Sequence, residues 1–167
     1  MAKVFRYAGQ ALVYAAVAAV VGTFSISPSY THFPSDKALI TLSFAHGGKP
    51  KGGCRSLTKS ERAKLAPNMR RKRICPRRRL PVHIEFDLDG RTIYEANLPP
   101  TGLSGDGPSR VYQRFVVPAG RHRLVARLRD TARKTGDDYR KEATVMLAPT
   151  QQFIIDFRPS LGGFIFQ

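Results

Sequence analysis

"VHIEFDLDGRTIYEANL", residues 82–98, has the period of a β-strand pair. Val82, Ile84, Phe86 and Leu88 alternate with His83, Glu85, Asp87 and Asp89. An apolar residue at every second position marks a strand with one face in a core and the other in water. Asp89-Gly90 is a dipeptide that turns such a strand back on itself. A strict two-residue turn would set Ile84 opposite Glu95 and mix the faces. A three-residue loop over Leu88–Gly90, with Gly90 in the left-handed bulge position, sets Phe86 opposite Thr92 and Ile84 opposite Tyr94, and that register is expected.

Working outward, the same rhythm recurs. "KALITLSFAH" (37–46), "RVYQRFVV" (110–117), "RHRLVARLRD" (121–130), "YRKEATVML" (139–147) and "QQFIIDF" (151–157) all read as strands. Within 121–130, Leu124, Ala126 and Leu128 point one way and Arg121, Arg123, Arg127 and Arg129 the other. "PPTGLSGDGPS" (99–109) reads as a flexible loop, and "PAG" and "TARKTGDD" as turns. About seven short strands with regular turn signals predict a mainly β chain folded as an immunoglobulin-like antiparallel β-sandwich over residues 37–158.

The stretch "VVPAGRHRLVARLRD…YRKEATVMLAPTQQFIIDF" (116–157) resembles small surface β-sandwich modules of the PEGA and carboxypeptidase-regulatory type. The resemblance is carried by Pro118, Gly120, His122, Leu124 and Val125 over about 40 residues. It implies an extracytoplasmic binding or spacer domain rather than an enzyme.

The N-terminus is different in kind. After Lys3 and Arg6, "YAGQALVYAAVAAVVGTFSI" (7–26) carries no charge. Twenty residues of helix reach about 30 Å, the thickness of a bilayer core. Basic residues before the span and none directly after it favour a cytoplasmic N-terminus with the rest of the chain outside. A cleaved signal peptide opens in the same way, but Ala16-Val17-Ala18 lies inside the apolar run instead of at its end. A buried helix of a soluble protein would show a polar face, and none is visible. A retained single-pass anchor (1–26) in a bacterial inner membrane is therefore expected, followed by an extended linker (27–36) and a periplasmic domain.

Charge is concentrated in one place. The chain has 28 Lys+Arg against 12 Asp+Glu, a net +16, and thirteen of the cations with a single acid, Glu61, fall between Lys49 and Leu80. Such a block attracts polyanions: nucleic acid, anionic lipid or an acidic protein face. Thr58 and Glu61 match a capping box before "KSERAKLA", so a helix of about two turns should open there and stop at Pro67.

Cys54 and Cys75 are the only cysteines, and both lie in this segment. In an oxidising compartment an isolated pair forms a disulfide, here closing the basic loop 47–80. A copper(I) site on Cys54, Met69 and Cys75 is the alternative, opposed by the cationic surroundings and the absence of Cys-x-x-Cys spacing. No resident cofactor or metal is expected.

The histidines (His32, His46, His83, His122) show no ligand spacing and suit surface or turn positions. Ser104 in "GLSGDG" lacks the G-x-S-x-G of a nucleophile elbow. Asp87 and Asp89 read as solvated, and Asp137-Asp138 as turn residues. No catalytic set emerges, and no small-molecule substrate is expected.

The expectation is a non-enzymatic binding module, an accessory or assembly subunit of a larger inner-membrane complex. It would dock on an acidic protein surface or anionic lipid through Arg70, Arg71, Lys72, Arg73, Arg77, Arg78 and Arg79. Phe164 and Phe166 in the apolar tail 159–167 form a second contact candidate, although a final edge strand in the domain's own sheet is the simpler explanation. Nucleic-acid binding is disfavoured because the loop has no aromatic side chain on which bases could stack.

Overall fold

The computed structural model describes residues 2–27 and 34–167, so most of the linker expected at 27–36 lies outside the described residues. The chain forms two compact units, Met1–Pro34 and Ser35–Gln167.

The first unit holds one helix, α1 (Ala2–Ile26). Its Val4, Phe5, Leu12, Val13, Val17, Val20 and Phe24 are all exposed, on every face. None of the apolar stretch is buried against protein, and it is long enough to cross a bilayer. Thr23, one of its few polar residues, donates Oγ1 to the Ala19 carbonyl at 2.7 Å and so carries no unsatisfied hydroxyl. A helix like this suits a membrane anchor or a signal sequence.

The second unit is built from strands: β1 (Lys37–His46), β2 (Arg55–Ser56), β3 (Arg73–Ile74), β4 (Val82–Leu88), β5 (Arg91–Leu98), β6 (Ser109–Pro118), β7 (Gly120–Arg129), β8 (Tyr139–Leu147), β9 (Gln152–Arg158) and β10 (Gly163–Phe166). Two four-stranded sheets, ordered β10-β9-β1-β6 and β5-β4-β7-β8, supply the core, and β2-β3 form a small separate pair. Ile40, Leu42, Phe44, Ile155 and Phe157 of the first sheet meet Val82, Ile84, Phe86, Leu124 and Leu128 of the second in one cluster. Phe86 and Phe115 cross between the sheets with ring centroids 5.6 Å apart, and Tyr139 and Phe157 do the same at 5.0 Å. All seven expected strands are present, and the two sheets pack as a sandwich.

Three details differ from expectation. First, β1 pairs with β9 in parallel, Leu39 to Gln152 through Leu42 to Ile155, so the first sheet is mixed rather than wholly antiparallel. Second, the β4–β5 hairpin turns in two residues. Asp89 (φ 52°) and Gly90 (φ 84°) both take the left-handed region, as a type I′ turn requires. The face mismatch is repaired by a bulge further along. The register shifts between Phe86 and Asp87, leaving Ile93 as the extra residue, and then Phe86 meets Tyr94, Ile84 meets Ala96 and Val82 meets Leu98.

Third, the segment 159–167 is not a free tail. Phe164 pairs with Phe157 across β9–β10, and its side chain is 6 % exposed inside the core. Phe166 is half-buried, edge-on to Phe153 at 6.3 Å. The simpler explanation of this segment, a final edge strand, is the one observed. Phe164 is thus corrected from contact candidate to core residue, and Phe166 packs beside it. Three large apolar side chains at a terminus close their own sheet, which removes them from water without a partner.

Candidate docking surface

The basic segment is an arm whose root is clamped by the sandwich. His46 ends β1, and Gly47-Gly48 lead away from it. A Cβ on Gly48 would collide with the backbone carbonyl of Leu80, so only glycine lets the two chain segments approach this closely. Lys49 N–H donates to the Asp130 carbonyl at 2.9 Å, Leu80 N–H to the Lys49 carbonyl at 2.9 Å, and Lys51 N–H to the Arg78 carbonyl at 2.8 Å. The outgoing and returning strands of the arm therefore run side by side from its root.

The disulfide forms the waist. Cys54 and Cys75 are bonded, with Cα atoms 4.2 Å apart. Just beyond it Arg55 pairs with Ile74 and Ser56 with Arg73, and Leu57 N–H reaches the Lys72 carbonyl at 2.9 Å. Leu57 is the arm's one buried apolar side chain. Thr58 then opens α2 (Lys59–Ala63) with the expected capping box, and Glu61 closes back on the Thr58 N–H at 2.9 Å. That N–H, together with the Arg55 guanidinium and the Thr58 hydroxyl, holds the Glu61 carboxyl at about 2. A 3-10 turn over Pro67–Met69 comes next, and the tip returns through Arg70–Arg73.

The cations of the arm divide by what they touch. Arg55 pairs with Glu61 at 2.7 Å, Arg77 with Asp106 at 2.9 Å, and Lys49 lies 3.9 Å from Asp130. Arg79 is half-buried and donates Nε to the Asp106 carbonyl and Nη1 to the Gly48 carbonyl, each at 3.0 Å. It staples the root of the arm to the loop 99–108, so it is corrected from docking residue to structural brace. That loop is itself braced: Gly107 N–H bonds the Thr101 carbonyl, Thr101 Oγ1 bonds the Pro108 carbonyl and Arg79 N–H bonds the Gly105 carbonyl.

Nine cations remain: Lys51, Lys59, Arg62, Lys64, Arg70, Arg71, Lys72, Arg73 and Arg78. Among the described residues none of these has a carboxylate within ion-pairing distance, and all but the half-buried Arg62 are exposed. Arg70, Arg71, Lys72, Arg73 and Arg78 are exposed, and Arg77 keeps most of its side chain in water despite its acid. With both sulfurs bonded to each other, the copper(I) alternative loses two of its three ligands.

The polar groups set aside as surface features are mostly bound to one another. Asp87 is 8 % exposed, pairs with Arg127 at 2.8 Å and accepts from the Thr92 hydroxyl at 2.7 Å. Asp89 binds His122 at 2.7 Å and the Arg123 N–H at 2.8 Å. Asp87 is therefore a buried ion-pair member rather than a solvated group, whereas Asp89 stays exposed while pairing with His122. Asp138 does serve its turn, accepting from the N–H groups of Asp130 and Thr131. His83 lies 3.0 Å from Glu85 and 3.7 Å from Glu95, and these three bring ligand-type atoms within 4.8 Å of one another. The other Glu85 oxygen is held by Arg127 Nε at 2.9 Å. This cluster depends on the true hairpin register, which sets Glu85 opposite Glu95; the expected register sets it opposite Ile93 and hides it. His32 lies outside the described residues.

No protein-family model matches the chain, and no curated protein is significantly similar to it.

Proposed function

We propose that this is a non-enzymatic, single-pass membrane-anchored binding module. Its β-sandwich lies on the periplasmic side of a bacterial inner membrane, and it serves as an accessory or assembly subunit of a larger membrane complex. The docking element is the disulfide-closed basic arm, which engages an anionic surface.

The carrying observation is the set of nine cations without carboxylate partners on an arm that is itself held fixed at root, waist and helix cap. Nine mutually repelling charges are costly to gather, and a counter-surface of opposite charge would offset that repulsion. Lys3 and Arg6 in the first turns of α1, ahead of its uncharged stretch 7–26 with no charge directly behind it, favour export of the β-domain. The disulfide fits an oxidising compartment. The resemblance of residues 116–157 to PEGA-type modules points the same way.

The test is extraction of the full chain from native membranes in mild detergent, beside a variant with Arg70, Arg71, Lys72 and Arg73 all changed to Ser. The wild-type chain is expected to bring down a reproducible set of membrane subunits that the variant loses. Recovery of the wild-type chain alone, or bound to nucleic acid, would sink the reading.

A further inference from the structure

We infer that the anionic surface met by the arm is the phospholipid headgroup layer of the bilayer, with the tip of the arm seated at the lipid–water interface. This rests on the docking role proposed above and names its partner.

Three features select lipid. The free cations, all exposed except the half-buried Arg62, are spread along both strands and the tip of the arm. A fluid layer of phosphates satisfies such a spread, whereas a protein face must match it charge by charge. Next, the tip sequence is Met69, then Arg70–Arg73, then Ile74, and both apolar brackets are out in water, 53 % and 41 % exposed. Cations flanked by exposed apolar side chains suit an interface where charge meets phosphate and hydrocarbon sinks beneath it.

Finally, only ten residues, 27–36, join the apolar helix to β1. A chain of that length spans at most about 35 Å, so an anchored domain meets the bilayer surface at high effective concentration.

The chain has no tryptophan, so Met69→Trp places a single reporter at the tip. The full-length variant is reconstituted into nanodiscs of phosphatidylcholine alone or with phosphatidylglycerol, each with brominated acyl chains. A second variant, Met146→Trp, reports from the exposed face of β8. The tip tryptophan is expected to shift to shorter wavelength and be quenched only in the anionic discs. About 0.5 M salt should relieve the quenching by shrinking the Debye length. Changing Arg70–Arg73 to Ser should raise the anionic lipid content needed for half-maximal quenching several-fold, while the β8 reporter stays bright throughout.

A tip reporter that remains unquenched in anionic discs overturns the inference, and so does equal quenching at β8, which would mean general adsorption. If the tip is unquenched yet the tetrad still governs which subunits co-purify, the docking role stands and its partner is an acidic protein. If both results fail, the parent reading fails with it.

Discussion

His46 Nε2 donates to Asp130 Oδ2 at 2.7 Å, joining the last residue of β1 to the first residue beyond β7 across 84 positions of sequence. Asp130 is 1 % exposed, and its Oδ1 has no hydrogen-bond partner among the described residues. Its backbone carbonyl receives the Lys49 N–H at the root of the arm. Core and arm therefore share this one aspartate.

Breaking that pair should be felt in both places. Asp130→Ala leaves His46 without its acceptor and is expected to cost about 3 kcal/mol in urea unfolding. Asp130→Asn keeps the shape and should cost about 1–2 kcal/mol. In both variants hydrogen exchange at Lys49 and Leu80 should quicken. Unchanged exchange at those two amides would separate the pair from the arm.

The other end of the same β7 face carries the reverse arrangement. The row His122, Leu124, Ala126, Leu128, Asp130 is apolar in the middle and ionisable at both ends, and His122 is held by Asp89. Burial opposes the His122 charge, but the Asp89 carboxylate and the Pro118 carbonyl outweigh it and raise the group above 6.5. The Arg123 N–H and His122 lower Asp89 below 3.8. The stability due to His122 is complete below 6.5 and disappears as pH climbs through its raised folded value. That due to Asp89 is complete above 3.8 and disappears as pH falls through its lowered one. The difference in Tm between wild type and Asp89→Asn should therefore peak between those values and shrink on either side. At its peak it should correspond to about 1 kcal/mol, a modest figure because the Asp89 side chain is half exposed. A pH-independent difference would show that charge plays no part.

Reducing the disulfide should loosen the arm and spare the sandwich. Closing a loop of this size is worth about 3 kcal/mol in the chain-entropy model, and Leu57 is the arm's sole buried apolar residue. With reductant, or in Cys54→Ser with Cys75→Ser, trypsin should cut first between Arg55 and Arg73, and Tm should move little. Cuts appearing first in β4–β9 would place the disulfide in the folding of the whole domain.

Phe164→Ala should behave as a core deletion. Its ring lies 5.1 Å from Phe157 and 6.3 Å from Phe44, so a loss of about 3–4 kcal/mol is expected. Binding of the arm to its target should not change. Loss of binding at unchanged stability would return Phe164 to the contact surface.

The strands were legible because period-two alternation is a local property, and Val82–Leu88 shows it at full strength. The capping box was legible for the same reason, and the disulfide because the chain has just two cysteines to pair. Register was not, since a type I′ turn with a bulge at Ile93 and a three-residue loop satisfy the same face pattern. Arg79 looks identical to Arg77 and Arg78 in "RRR", and only the fold puts the Asp106 and Gly48 carbonyls beside it. The pairs His46–Asp130 and His122–Asp89 join residues far apart in sequence, where spacing carries no signal. The apolar end at Phe164–Phe166 was ambiguous because a core strand and a contact patch have the same composition.

The parallel pairing of β1 with β9 has a consequence for biosynthesis. β1 is buried from Ala38 to Leu42, yet the neighbour that covers one of its edges begins only at Gln152. More than a hundred residues must leave the ribosome before that edge is sealed. A nascent chain at this stage exposes its stickiest strand for most of the synthesis time, so contact order alone makes it a natural client for a holdase chaperone.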